Sequence, residues 1–359
     1  MALTPVPRLP ATPALASPQD DADFEQELID QYAIAQASAG ISDGYVTASR
    51  AVVVDFARSL SGPIWTAKYA DGDRFLAEQR RLGMAQSTRA GKAGMIAQFY
   101  DFLTDRYLGE IRSLTGVMVE QPIDEWNRPS GASLGKVRVP PSDIEVTEFF
   151  DRWRASVADA RKYLPAARDY FAASLWRRLG LRINESVMLD IRDWRPDLGQ
   201  IGKLHVRFGK GSRGRGVKPR LIPAINGAAE LIDWWLAEVR PQFGSDWSDP
   251  DAPMLPSERI DHEFARSVRV GPNALRRALA DQTTRWLPAW SGRMTPHVLR
   301  HYCASSLYAA GMDLKALQEL LGHNWLSTTS QYIHVRSEHI ETAWLQANAR
   351  IEQRLGGAV

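Results

Sequence analysis

The chain has 359 residues, enough for two domains, and its 44% hydrophobic and 24% charged residues are those of an ordinary globular protein. Its single cysteine, Cys303, excludes an internal disulfide and a cysteine-rich zinc site. The formal net charge of +2 averages over uneven segments. Residues 202–223 contain Lys203, Arg207, Lys210, Arg213, Arg215, Lys218 and Arg220 and no acid. A basic patch of that kind meets phosphate, although a solvated charged hairpin would look the same.

Residues 1–19 form a Pro/Ala-rich tail, expected to be poorly ordered. The tail lacks a charged segment followed by an apolar core, so it does not read as a signal peptide, and no apolar run spans a bilayer. A cytoplasmic protein with no membrane partner is expected. Helical spacing follows in residues 20–39, with Phe24, Leu28, Ile29 and Tyr32, and in residues 47–60, with Val53, Phe56 and Leu60. Two more helices are predicted over 71–82 and 87–107, the second carrying Ile96, Phe99, Tyr100 and Leu103 on one side. Residues 20–120 thus read as an all-α unit. Arg80, Arg81, Arg89 and Lys92 gather around the turn between its last two long helices, an edge suited to a nucleic-acid backbone.

Residues 121–142 change character, with Pro122, Pro129, Gly131, Gly135, Pro140 and Pro141, and read as an extended linker. Residues 143–359 form the second domain. Helical periodicity covers 144–161 and 166–179, and strands are expected at 203–208 and 220–222, joined by a Gly-rich basic connection. Helices recur at 228–239, 273–281, 296–310 and 314–321, and an amphipathic segment closes the chain at 338–355. The fold class is therefore mainly α with a small antiparallel β-sheet. The twelve tryptophans fall mostly within apolar stripes, which favours core positions over base stacking.

Chemistry concentrates near the C-terminus, in Thr295-Pro296-His297-Val298-Leu299-Arg300-His301, followed by Leu321-Gly322-His323 and then Tyr332. Thr295 suits an N-cap and Pro296 the first helical position. His297 and Arg300 stand three apart, Leu299, Cys303 and Leu307 supply an apolar stripe, and Gly311 offers a stop. An arginine, imidazoles and a phenol are parts that break a phosphodiester without a metal. A zinc site on His297 and His301 is the rival reading, but Val298 stands where the metalloprotease pattern needs a glutamate. Cys303, on the apolar stripe, reads as a small core residue.

Two upstream motifs complete a set. Gly180-Leu181-Arg182-Ile183-Asn184-Glu185 offers a guanidinium fork for phosphate oxygens with a carboxylate one turn on, and Gly209-Lys210-Gly211 sits at the tip of the basic hairpin. With these motifs in this order, the chain resembles tyrosine recombinases of the phage integrase family. The similarity covers nearly everything after the tail. It implies an all-α core-binding domain of SAM-like fold and an α+β catalytic domain, closing as a C-shaped clamp on double-stranded DNA core sites.

The resemblance also implies roles. Arg182 and Arg300 would clamp the scissile phosphate, with Glu185 holding Arg182. His297 would accept or relay the nucleophile's proton, with His301 structural beside it. His323 would donate to a non-bridging oxygen, and Tyr332 would attack. Lys210 would protonate the departing 5′ oxygen, with Lys218 in reserve because the segment from Ser212 to Lys218 is longer than the family's usual version. Neither metal, ATP nor other cofactor is implied. The family works through a Holliday junction in a tetramer, sometimes with accessory proteins. The closing helix at 338–355 would pack either on a neighbouring protomer or on its own domain. The segment before residue 40 is too short for a separate arm-binding domain, so binding at core sites alone is expected. A type IB topoisomerase and a catalytically silent DNA-binding protein are the competing readings.

Overall fold

A computed structural model describes residues 15, 17–129, 140–209, 218–261, 263 and 266–322. The chain divides into two compact units, Met1–Lys136 and Val137–Val359.

The first unit holds α1 (Pro18–Ser38), α2 (Asp43–Arg58), α3 (Tyr69–Arg81), α4 (Gln86–Arg106) and α5 (Leu108–Thr115). Part of the expected tail is used in building it. The Ser17 side chain accepts from the backbone N–H of Asp20 and caps α1, and Pro18 occupies the first turn, where it forgoes no hydrogen bond. The apolar stripes meet as their spacing requires. Phe24, Leu28, Ile29, Tyr32, Val53, Phe56, Ile96, Phe99, Tyr100 and Leu103 are all buried. Aromatic edges lock this core, with Phe99 and Tyr100 at 90° and their centroids 5.6 Å apart.

The first part of the expected linker also belongs to this unit. Ile123 is buried in the first core, and the Gln121 amide donates to the Ala97 carbonyl at 3.1 Å.

The second unit opens with α6 (Asp143–Ala158), started by a reciprocal capping box between Ser142 and Glu145. Next come α7 (Tyr163–Leu179), the short α8 (Ile183–Val187), strands β1 (Trp194–Arg195), β2 (Lys203–Val206) and β3 (Arg220–Pro223), and α9 (Ala228–Trp234), which continues as a π-turn. Then follow β4 (Pro256–Asp261), β5 (Arg266–Arg269), α10 (Pro272–Trp286), α11 (Pro296–Ala309) and α12 (Leu314–Leu321). Strands β1, β2 and β3 form one antiparallel sheet, with Leu204 opposite Ile222 and Val206 opposite Arg220. Strands β4 and β5 form a separate antiparallel pair. The architecture is mainly helical with small antiparallel sheets, as its composition and periodicity suggest.

The core of this unit is aromatic. Phe171 stacks on Trp235 at 4.7 Å, and Trp153 and Trp176 are fully buried. Not every tryptophan follows this rule, since Trp126 in the first unit and Trp247 here are exposed. Helix α11 lies along α7, and α12 packs on both α11 and β3. Those contacts bring Arg182, Arg220 and Arg300 together. Among the described residues no helix is long and apolar enough to cross a membrane.

Candidate active site

Helix α11 begins as its sequence demands. Thr295 Oγ1 accepts from the Val298 N–H at 3.2 Å, and Pro296 takes the first position. Leu299, Cys303 and Leu307 turn into the core, and with them Arg300, which is 1% exposed. His297, the second residue of the helix, lies on its exposed side, its ring nearly perpendicular to that of His301 with centroids 4.6 Å apart. Cys303 is buried, and burial pushes its thiol up to about 12. A thiol held protonated is a packing group, not a nucleophile.

Arg182 is placed by the end of α7. Gly180 closes that helix in the left-handed region at φ +63, and the buried Leu181 anchors the turn into α8. Arg182 stands at the N-cap of α8, where its backbone N–H donates to Glu185 at 2.9 Å and its Nη1 to Glu185 Oε1 at 2.6 Å. The ion pair expected between these residues is present, and Glu185 is almost wholly buried.

A third arginine completes the cluster. Arg220, at the start of β3, grips both Glu185 oxygens with its fork, at 2.9 and 2.8 Å. Arg300 comes within 4.0 Å of the same carboxylate and donates to the carbonyls of Gly180 and, at 2.7 Å, Leu321. The end of α12 receives the rest. Leu320 O accepts from Arg220 Nε at 3.0 Å and Gly322 O from Arg182 Nη2 at 3.3 Å. The partial negative charge of a helix C-terminus is thus set against three guanidiniums.

Burial alone would push the Glu185 carboxyl up. The Arg220 hydrogen bonds, the charges of Arg220 and Arg182, and the Arg182 N–H outweigh it and hold the group down at about 2. One carboxylate shared by three guanidiniums leaves an excess of about two positive charges, in a geometry that suits an anion with several oxygens.

The hairpin joining β2 to β3 closes where Lys218 N donates to Gly209 O at 3.0 Å. Lys218 is exposed. Arg207, expected to meet DNA, is instead engaged by Asp193 at 2.7 Å and by Asp190, with its guanidinium against the Phe208 ring. Lys210, Arg213 and Arg215 lie outside the described residues, as do His323, Tyr332 and the segment at 338–355. In the first unit Arg80 is exposed, Arg81 pairs with Glu78 at 2.7 Å, and Arg89 Nε donates to Met84 O at 3.3 Å. Lys92 is more enclosed, donating to Gln79 at 2.8 Å above the Phe75 ring.

The model of the phage integrase family matches residues 156–339, just over half of the chain. The chain belongs to this family of tyrosine recombinases. The tyrosine recombinase XerC of Vibrio vulnificus is 28% identical over 274 residues, covering 76% of this chain and 74% of its own length. The Tn1549 transposon integrase in complex with circular intermediate DNA shares the fold, with a TM-score of 0.61 at 18% identity over 89% of this chain and 99% of that one. The XerH recombinase bound to a palindromic difH substrate does so with a TM-score of 0.60 at 16% identity, over 95% and 91%. The protein is a site-specific DNA recombinase.

Sequence reasoning assigned this recombinase's Arg182, Glu185 and Arg300 to one site, and the fold brings them together. It counted Arg220 only as part of a basic patch. A signal was available, because alternation along β3 puts Arg220 on the same side as the fully buried Ile222. A charge on a buried face needs a partner.

Proposed function

We propose that this recombinase cleaves and rejoins double-stranded DNA core sites through a 3′-phosphotyrosyl bond to Tyr332. The observation that carries the reading is the arginine cluster, with Arg182, Arg220 and Arg300 gathered on Glu185 and on the last carbonyls of α12. Phosphoryl transfer asks a protein chiefly for positioning and for charge where it develops. Arg182 and Arg300 clamp the non-bridging oxygens, and His323, the next residue after Gly322, adds a donor. His297 takes or relays the Tyr332 proton.

Tyr332 Oη forms a bond to phosphorus as the bond to the 5′ oxygen breaks, and Lys210 gives that oxygen its proton. Lys218 is the substitute if Lys210 fails. One phosphoester replaces another, so a 5′-hydroxyl from a partner duplex can reverse the attack without ATP. Exchange proceeds through a Holliday junction in a tetramer, with accessory proteins where the reaction needs direction. Integration, excision or transposition of a mobile element is the biological setting, in the cytoplasm at the nucleoid. Arg80, Arg81 and Arg89 serve the DNA backbone from the first unit, with Lys92 beside them, and Arg213 and Arg215 serve it from the hairpin. The segment at 338–355 joins protomers or completes its own domain.

The test is a core duplex selected by binding from random-sequence DNA and nicked so that cleavage cannot reverse. The wild-type chain forms a covalent adduct, and Tyr332→Phe binds equally well and forms none. An adduct surviving that substitution overturns the assignment.

A further inference from the structure

We infer that Arg220 is the positioning residue of the phosphate clamp, acting through Glu185 to fix the direction in which Arg182 presents its guanidinium. This inference rests on the recombinase mechanism proposed above and adds to it a residue that does not touch the phosphate.

The geometry of one side chain carries it. Arg220 pairs with Val206 across the sheet, and only 10% of its side chain is exposed. Its fork holds both oxygens of Glu185, at 2.9 and 2.8 Å, while Nε holds Leu320 O at 3.0 Å. Arg182 adds one side-chain donor on Oε1 and its backbone N–H on Oε2. Two single donors leave the plane of a carboxylate free to tilt about them, whereas a planar fork on both oxygens fixes that plane. The Arg182 guanidinium, bonded to Glu185 Oε1 at 2.6 Å, inherits that fixed direction.

Two glycines show how closely the neighbouring motifs are built around the same side chain. Gly322 lies at φ +66, and a Cβ there would come within 3.0 Å of Arg220 Cδ and Nη1. At Gly209 a Cβ would meet Lys218 O at 2.1 Å and Arg220 Nη1 at 3.3 Å. Arg220 therefore touches the carboxylate of the first motif, the base of the basic hairpin and the turn that leads into His323. Three separate stretches of chain register on one guanidinium.

A brace that merely ties β3 to α12 would make many of the same contacts, and pH separates the two roles. Among the described residues, the charged groups that face Glu185 are Arg182 at the N-cap of α8, Arg220 from β3 and Arg300 from α11, while α12 offers carbonyl dipoles. Burial opposes the charged form of Glu185, and the Arg220 hydrogen bonds are foremost among the groups that offset it. Without Arg220 less offsets that burial, so the carboxyl is expected to titrate higher, and its protonated form to release Arg182.

The experiment measures adduct formation by the full chain on the nicked core duplex, from about pH 5 to about pH 8.5, with binding and thermal melting measured alongside. Arg220→Gln is expected to bind within about threefold of wild type and to cleave about 30-fold more slowly at neutral pH, with a further acid limb added to the wild-type pH profile. Adding Glu185→Gln removes that limb. Arg220→Lys restores the wild-type pH profile but only part of the rate, because it supplies charge without the fork. A rate within about threefold of wild type in Arg220→Gln, or a loss with an unchanged pH profile, overturns the inference. Should Arg220→Gln not fold, Arg220→Lys decides, since full wild-type cleavage there shows that the fork is not needed. If wild type itself forms no adduct, the proposed mechanism fails instead, which is a distinguishable result.

Discussion

Two arginine–carboxylate clusters in the second unit are built from similar parts and differ in balance. In one, Arg182, Arg220 and Arg300 share Glu185. In the other, Arg207 and Arg269 share Asp190 and Asp193, with Arg192 reaching in at 3.9 Å while chiefly engaged by Asp251 at 2.6 Å. Both clusters also donate to backbone carbonyls, as when Arg269 donates to Val187 O and Leu189 O at 2.7 and 2.8 Å, but only the second neutralises itself. The first cannot neutralise itself, and in the proposed mechanism its excess positive charge serves the scissile phosphate. The count of arginines in a region is therefore a poor guide to function; the count of carboxylates within reach of them is a better one.

The sharpest way to break this comparison is to remove one arginine from each cluster and measure cleavage. Arg182→Ala and Arg300→Ala are each expected to slow adduct formation on the nicked duplex by about 10²–10³-fold, the usual cost of losing one charge-stabilising donor. Arg207→Ala, compared at equal concentration of folded protein, should stay within about tenfold of wild type, because its charge is already matched. Equal losses in all three variants would dissolve the distinction.

Much of this could be read from the chain, and the failures have physical causes. Helix α11 was legible because its cap, its Pro296 and its apolar stripe agree, and Leu299, Cys303 and Leu307 are buried as the spacing requires. The stripes of α1, α2 and α4 were legible for the same reason. Strands β4 and β5 were not, since Glu258, Arg259 and Arg266 lie exposed and the pair has no alternating apolar face to betray it. Helix α5 was missed, because Tyr107 joins it to α4 with no glycine or proline between them. At the site, spacing found Arg182 and Glu185, which are partners within one turn. Arg220 and Arg207 were misread together as a patch. Their carboxylates lie 35 and 14 residues away, at Glu185 and Asp193, and only the fold brings them close.

Stability should separate the clusters in the opposite sense. Arg207→Ala strands Asp193, whose side chain is 1% exposed, and leaves Asp190 to Arg269. Removing one partner of a buried pair costs about 3–5 kcal/mol, and the 21% exposure of Arg207 argues for about 3. Denaturant unfolding at neutral pH checks this, and Arg207→Ala combined with Asp193→Asn should recover part of the loss. Arg182→Ala should cost less stability than Arg207→Ala, because Glu185 keeps the Arg220 fork at 2.9 and 2.8 Å. A reversed order would mean that the site cluster, not the neutral one, carries the fold.

The smallest expected effect tests whether the site cluster depends on the helix that delivers Arg300 or on the carbonyls that receive it. Thr295→Ala removes the oxygen that accepts from Val298 N–H at 3.2 Å and frees one N–H at the start of α11. Such a cap contributes about 1 kcal/mol, measurable as a lowered denaturant midpoint. Arg300 sits more than a turn further along, held by Gly180 O and by Leu321 O at 2.7 Å. Cleavage by the folded variant should therefore stay within about threefold of wild type. A larger loss would show that the start of α11, more than the receiving carbonyls, sets the position of the clamp.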